Sequence, residues 1–313
     1  MTQVLTPSTP AAVPAARVDR RPGRQRRRAD RLLALFAAPA LLCYAFFLLG
    51  PLVAVFYISF LRWPGMLAPS SWIGLDNYRR MIDDPVFWTA CRVTAIQLVA
   101  TVPALVVLSF MLGYYVAQNP PGVRALRVLL FIPGLLSLAA QTTVFFAVLS
   151  PNGLINSTLQ SLGLDSWVRA WLADPATALP ALILVTLWGG VGYTSILFSA
   201  NLSSIEEAVY EAAELDGAGR WRTMWRIAFP MSYSYVGVVT MLQLLWNLFG
   251  SAAIVLLLTK GGPGNSTTTL SYLVYQKAFL QYNVGYSQAI GVVLFVVGML
   301  GILIIRRIFR PRF

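Results

Sequence analysis

Five carboxylates crowd one short segment of an otherwise apolar chain: Glu206, Glu207, Glu211, Glu214 and Asp216 fall within 11 residues. Carboxylates can do acid–base chemistry when paired and buried, but no buried carboxylate pair is evident in this sequence. The chain has no histidine, which removes a His-based triad, a His-ligated zinc site and an imidazole proton shuttle. Its two cysteines, Cys43 and Cys91, have no metal or redox spacing. There is no Gly-x-x-x-x-Gly-Lys-Ser/Thr phosphate loop, so energy for any active process must come from another polypeptide. What remains to the acidic run is charge presented on a surface. A second polar set interrupts apolar segments: Thr186, Gly190 and Tyr193 at i, i+4 and i+7, and Gln243, Trp246, Asn247 and Gly250 on one helical face. Amide, hydroxyl and aromatic groups together suit a solute with hydroxyls and C–H faces. Ordinary interhelical hydrogen bonding would use Thr186, Gln243 and Asn247 equally well.

The elements that must position these residues are membrane spans. Of the 313 residues, 57% are hydrophobic and only 12% charged, where a soluble domain carries about 25% charged residues. Crossing a bilayer core takes about 20 apolar residues. Six stretches qualify: Leu32 to Leu61, Val93 to Ala117, Val128 to Leu149, Ala176 to Ala200, Val236 to Leu258 and Ala289 to Ile305. None of them contains an ionisable Asp, Glu, Lys or Arg, which argues against ion coupling. With the N-terminus inside, 17 of the 24 Lys and Arg fall on the cytoplasmic side, so both termini are expected there. The net charge of +12 reflects that bias and is no sign of nucleic acid. Residues 1–31, rich in Pro, Ala and Arg, form a basic tail expected to be disordered, followed by a six-helix transmembrane domain at 32–313. The apolar stretch after Arg26-Arg27-Arg28 is too long for a cleaved signal peptide and reads as the first span.

The acidic run lies in the loop at 201–232, between the fourth and fifth spans. Ser203 and Ser204 each have a Glu three positions later, so a capping box is expected to start a short helix there. Ile205, Val209, Ala212 and Ala213 would form its apolar stripe, with Glu207, Glu211 and Glu214 on a separate face. Asp216-Gly217 should end it, since glycine tolerates the positive φ of a helix terminus. Trp221, Met224, Trp225 and Ala228 then repeat at helical spacing, and Pro230 suits the first turn of the fifth span. Anionic lipid attracts basic segments, so an acidic helix is better matched to a basic groove on a protein.

Glu211-Ala212-Ala213, followed after three residues by Gly217, and after nine more by Ile227-x-Phe229-Pro230, resembles the EAA loop of ABC importer permeases. Phe229 stands where that pattern usually has Leu. The resemblance implies an all-α integral membrane protein with the type I ABC importer permease fold. It also implies a coupling helix that seats in a cleft of an ATPase subunit, with Glu207, Glu211, Ala212, Ala213, Asp216, Gly217, Ile227 and Pro230 contributing.

Two outer segments are similar to the carbohydrate branch of that family: Gly74-Leu75-Asp76-Asn77-Tyr78 with Asp84-Pro85-x-Phe87-Trp88, and Leu258-Thr259-x-Gly261-Gly262-Pro263. By that resemblance the chain is expected to carry a sugar or oligosaccharide and to be no enzyme itself. Thr186, Gly190, Tyr193, Gln243, Trp246, Asn247 and Gly250 match the positions that line the sugar site in maltose-type permeases. The implied partners are an ATPase dimer holding ATP and magnesium, a second permease subunit, and an extracytoplasmic solute-binding protein. The last would dock on the outer loops at 62–92, 151–175 and 259–288 in a bacterial or archaeal cell membrane. An importer of glycerol phosphate or another polyol is the rival within the class, and a passive channel or scaffold the rival outside it.

Overall fold

The computed structural model describes residues 36–65 and 68–310; the expected tail at 1–31 and the start of the first span at Leu32 lie outside them. The chain falls into two units, Met1–Val53 and Ala54–Phe313. Among the described residues, six helices are long and apolar enough to cross a membrane. They account for the six expected spans, with different ends.

Helix α1 is Phe36–Ser59, and none of its apolar window is buried. A two-residue antiparallel pair follows, β1 (Leu61–Arg62) with β2 (Ser71–Trp72). Then come α2 (Asp76–Asp83) and the long α3 (Pro85–Ala117). Hydropathy places the start of this span at Val93, but the helix begins eight residues earlier. Asp84 caps it through the Val86 amide, and Pro85 takes the first turn, where its missing N–H costs nothing. Two expectations change with it: Cys91 lies within the span and not before it, and Arg92 enters the helix near its N-terminal end. Helix α7 (Pro175–Leu202) starts in the same way, on an Asp174 cap followed by proline.

The third span is not the single helix expected over Val128 to Leu149. Helix α4 (Val123–Leu135) stops, Leu136 and Ser137 are extended, and α5 (Leu138–Leu149) restarts the path, with α6 (Leu154–Ser161) beyond it. Pro133 lies inside α4 and weakens its last turn. Ser137 accepts from the Ala140 amide, making a fresh N-cap. Carbonyls freed in an apolar medium must find donors, and Gln141 supplies them: its Nε2 donates to Pro133 O at 2.8 Å and Leu136 O at 3.1 Å.

The loop between the fourth and fifth spans carries α8 (Glu207–Leu215) and α9 (Arg220–Thr223). A π-type turn over Met224–Ala228 leads into α10 (Phe229–Met231), and α11 (Tyr233–Leu258) crosses the membrane. Pro230 therefore sits in α10, ahead of the fifth span. After α11 come α12 (Leu270–Tyr275) and α13 (Val284–Ile308).

Helices α3 and α7 make the most extensive contact. It is close because Gly113 lies against the Phe198 Cβ and Ser195 carbonyl, where any side chain would collide. Likewise a Cβ on Gly192 would strike the Leu130 carbonyl, so α4 can lie on α7 only through a glycine. Gly298 and Gly301 of α13 face Leu248 and Leu244 of α11 in the same manner.

Candidate functional site

The acidic segment folds as a projecting helix anchored on one side. The expected capping box is absent: Ser203 is the C-cap of α7, and Ser204 Oγ donates to the Asn201 carbonyl at 2.6 Å. Because α7 runs on to Leu202, both serines serve its end, and α8 starts only at Glu207. Ala213 is buried, Val209 and Tyr210 are half-buried, but Ala212 is exposed, so the buried face turns toward Tyr210. Tyr210 packs beside Tyr114 of α3, with ring centroids 6.4 Å apart, and its hydroxyl donates to Leu202 O at 3.2 Å. Burial, with the neighbouring Tyr114, pushes this phenol up to about 12, so it remains a donor.

Glu207, Glu211, Glu214 and Asp216 are all exposed, and none has an ion-pair partner among the described residues. Gly217 adopts φ +72° with open space around it, as the helix terminus demands. Behind this face, Met224 and Ala228 are buried with Phe110, Phe198, Leu202 and Val239, and Trp225 and Phe229 lie 5.8 and 5.4 Å from the Phe110 ring. Ile227 is half-buried, Pro230 is exposed, and Trp221 points outward at 64% exposure. The acidic face is thus free while its other side is fixed to the ends of α3 and α7.

All seven expected pathway residues, Thr186, Gly190, Tyr193, Gln243, Trp246, Asn247 and Gly250, line one cavity of about 690 Å³. They differ in availability. Thr186 Oγ1 donates within its own helix to Leu182 O at 2.8 Å, and Gln243 Nε2 donates across to Thr194 Oγ1 at 2.9 Å, so both are partly spent on structure. Asn247 is 3% exposed; its Nδ2 donates to Gln243 O at 2.8 Å, and its Oδ1 has no partner. Trp246 and Tyr193 are 76% and 53% exposed, presenting aromatic faces at the mouth.

Four further lining residues went unrecognised in the sequence: Gln97, Gln141, Thr194 and Ser251. Each is a polar residue in an apolar helix, and Gln141 also follows Pro133-Gly134 and Ser137, a breaker cluster in mid-span. Among the described residues, no Lys, Arg, Asp or Glu lines this cavity.

At the end of α3 away from the acidic helix, the segments around Asp84 and Thr267 are firmly built. Asn77, 1% exposed, donates to Ser59 O and Leu61 O at 2.8 and 2.9 Å, so the Asp76-Asn77 pair opens a helix rather than a simple turn. Thr267, Thr268 and Thr269 are fully buried after the Gly261-Gly262-Pro263 stretch. Thr268 Oγ1 donates to Gly261 O at 3.1 Å, and Ser251 Oγ to Thr269 Oγ1 at 3.1 Å. Asp84 receives the Tyr286 hydroxyl at 2.8 Å and lies 3.6 Å from Lys277 Nζ. Burial raises its carboxyl, but the Tyr286 and Val86 hydrogen bonds and Lys277 outweigh that and hold it below its ordinary value.

These features agree with known proteins. The chain is 34% identical to the diacetylchitobiose uptake system permease protein of Streptomyces coelicolor, covering 90% of this chain and 83% of that one. It is 31% identical to the lactose transport system permease protein of Rhizobium radiobacter over 78% of this chain and 82% of that one. Its fold matches a chain in the crystal structure of a bacterial alginate ABC transporter in complex with an alginate pentasaccharide-bound periplasmic protein. That match has a TM-score of 0.80 at 22% identity and covers 93% of this chain and 98% of the other. Residues 93–313 match the family described as binding-protein-dependent transport system inner membrane component, and the chain, a multi-pass membrane protein with the type I ABC importer permease fold, belongs to that family.

Proposed function

We propose that this chain is the permease subunit through which an ATP-driven importer passes a sugar or oligosaccharide received from an extracytoplasmic binding protein. The observation that carries the substrate class is the cavity. Its lining joins amides and hydroxyls to exposed Trp246 and Tyr193, and its buried Asn247 Oδ1 lacks a donor. A buried acceptor without a partner costs about 1–3 kcal/mol, and a sugar hydroxyl would relieve it. The names of the relatives, among them diacetylchitobiose and lactose permeases, support the same class. A phosphorylated polyol would want a basic group in the cavity, and none lines it.

The acidic face of α8 docks on the ATPase dimer, which holds the ATP and magnesium; this chain binds no cofactor. Both termini face the cytoplasm, as the 17 Lys and Arg on that side suggest. Closure of the ATPase would move α8 together with the ends of α3 and α7, because the packing around Phe110 ties them into one body. The broken third span, whose ends at Gly134, Leu136 and Leu138 border the cavity, would then shift against α7. A second permease subunit, by the family resemblance a paralogue, would complete the pathway. The test is uptake of labelled di- and oligosaccharides by cells carrying the full transporter, with and without the Asn247→Ala change. Uptake of none of them, with the complex assembled, would count against a sugar.

A further inference from the structure

A second cavity, of about 650 Å³, opens between α4 and α7. It lies on the side of the molecule that carries residues 203–232 and takes no part in the polar pathway. Its chemistry is graded. At the end nearest the loop stand Arg127, Ser199 and Ser203; deeper in, the walls are Phe131, Leu135 and Ile196. From Arg127 to Leu135 the helix rises about 12 Å, most of the ~15 Å depth of one leaflet.

Arg127 Nη2 donates to the Val116 carbonyl at 3.3 Å, and no carboxylate lines the cavity or pairs with this guanidinium among the described residues. A charged head with spare donors above a purely apolar trough is complementary to one molecule of the surroundings. We infer that this groove holds an anionic phospholipid of the cytoplasmic leaflet, its phosphate at Arg127 and the Ser199 and Ser203 hydroxyls, and one acyl chain along Phe131, Leu135 and Ile196. Basic pockets between spans on the cytoplasmic side select acidic headgroups for this reason. The basic segment at 1–31 is a poor occupant because its eight arginines share the sign of Arg127. The inference rests on the orientation proposed above but not on the substrate.

The test uses the full chain, purified and delipidated in mild detergent. It is offered phosphatidylglycerol or phosphatidylcholine of identical acyl chains, with retained lipid counted by native mass spectrometry. Phosphatidylglycerol should be held at least about fivefold more tightly, the selectivity one well-placed cation gives. Arg127→Gln should erase that preference, while Arg127→Lys keeps part of it. Arg124→Gln, exposed and outside the groove, should leave it intact. Ile196→Phe, which narrows the trough, should weaken retention of both lipids and so separate a seated acyl chain from phosphate binding alone. Equal retention of the two lipids would overturn the inference. So would equal effects of Arg124→Gln and Arg127→Gln, or dimers of the chain that expel lipid. No readout here involves transport, so such a failure would leave the importer reading standing, and loss of uptake would leave this one standing.

Discussion

Asn247 is the residue whose surroundings most directly ask for a ligand. Its amide nitrogen is tied to Gln243, its oxygen is buried without a donor, and Trp246 beside it offers an apolar ring. Asn247→Ala should raise the sugar concentration for half-maximal uptake about tenfold, the worth of one buried hydrogen bond, with maximal rate largely kept. An unchanged value would return Asn247 to a packing role. Gln243 and Thr186 should matter less for affinity, since their own hydrogen bonds are already made within the protein. A pH effect is expected at Asp84. Its folded carboxyl titrates below the ordinary value near 4, so its contribution is fully present above that value and is lost as pH falls through the lower folded one. Wild type should therefore be more heat-stable than Asp84→Asn at pH 7, and the difference should begin to shrink as pH falls below about 4 and disappear only below the lower folded value, as measured by thermal melts in detergent. Gly190, Trp246 and Gly250 were legible through their helical spacing and the resemblance to maltose-type permeases, and Thr186, Tyr193, Gln243 and Asn247 as polar groups in apolar runs. Gln97 and Gln141 carry the same signal, but their use depends on how α3 and the broken span lie against α7, which spacing within one helix does not reveal.

Element boundaries follow local chemistry more closely than hydropathy does. Asp84-Pro85 and Asp174-Pro175 are N-cap and first-turn pairs that start α3 and α7 at the prolines. The third span shows the opposite case: its hydropathy is continuous, and only Pro133-Gly134 with Ser137 betrays the break. Gln141→Leu should destabilise that break, because Leu136 O would lose its donor and Pro133 O would keep only the Leu136 amide at 3.3 Å in an apolar setting. The expected result is lower heat stability and slower uptake, with Gln141→Asn restoring little because its shorter side chain cannot reach both carbonyls. Behaviour like wild type would mean that the break needs no side-chain support. In the acidic loop, the turn at Gly217 was legible from Asp216-Gly217, whereas the start of α8 was not. The serines that look like its cap are consumed by the end of α7. Gly217→Ala should cost about 1 kcal/mol at its positive φ, and Gly217→Pro should block transport while leaving the spans inserted. Both are checked by comparing membrane levels with uptake.

At the largest scale, within the unit Ala54–Phe313, two ends of the fold differ in build. The end where α3 begins is knit by buried hydroxyls and by the Asp84, Lys277 and Tyr286 contacts, and the end where it stops offers an acidic face with no ion pair among the described residues. Between them, α3 and α7 run in glycine-mediated contact, and in the function proposed above this would let one end report to the other. Composition and charge bias made the six-span plan readable at once, because crossing a bilayer constrains sequence so strongly. The long-range contacts of the outer segments, such as the Leu270 amide on Thr94 Oγ1 at 2.8 Å, had no local signature. The central claim is that the carboxylates of α8 grip a separate motor. It is tested most directly by purifying the affinity-tagged chain from its own cells and weighing what comes with it. An ATPase should co-purify with the wild-type chain and be lost, by at least tenfold, from Glu211→Lys present at the same membrane level, with ATP hydrolysis falling in step. Equal ATPase recovered with both proteins would contradict the account.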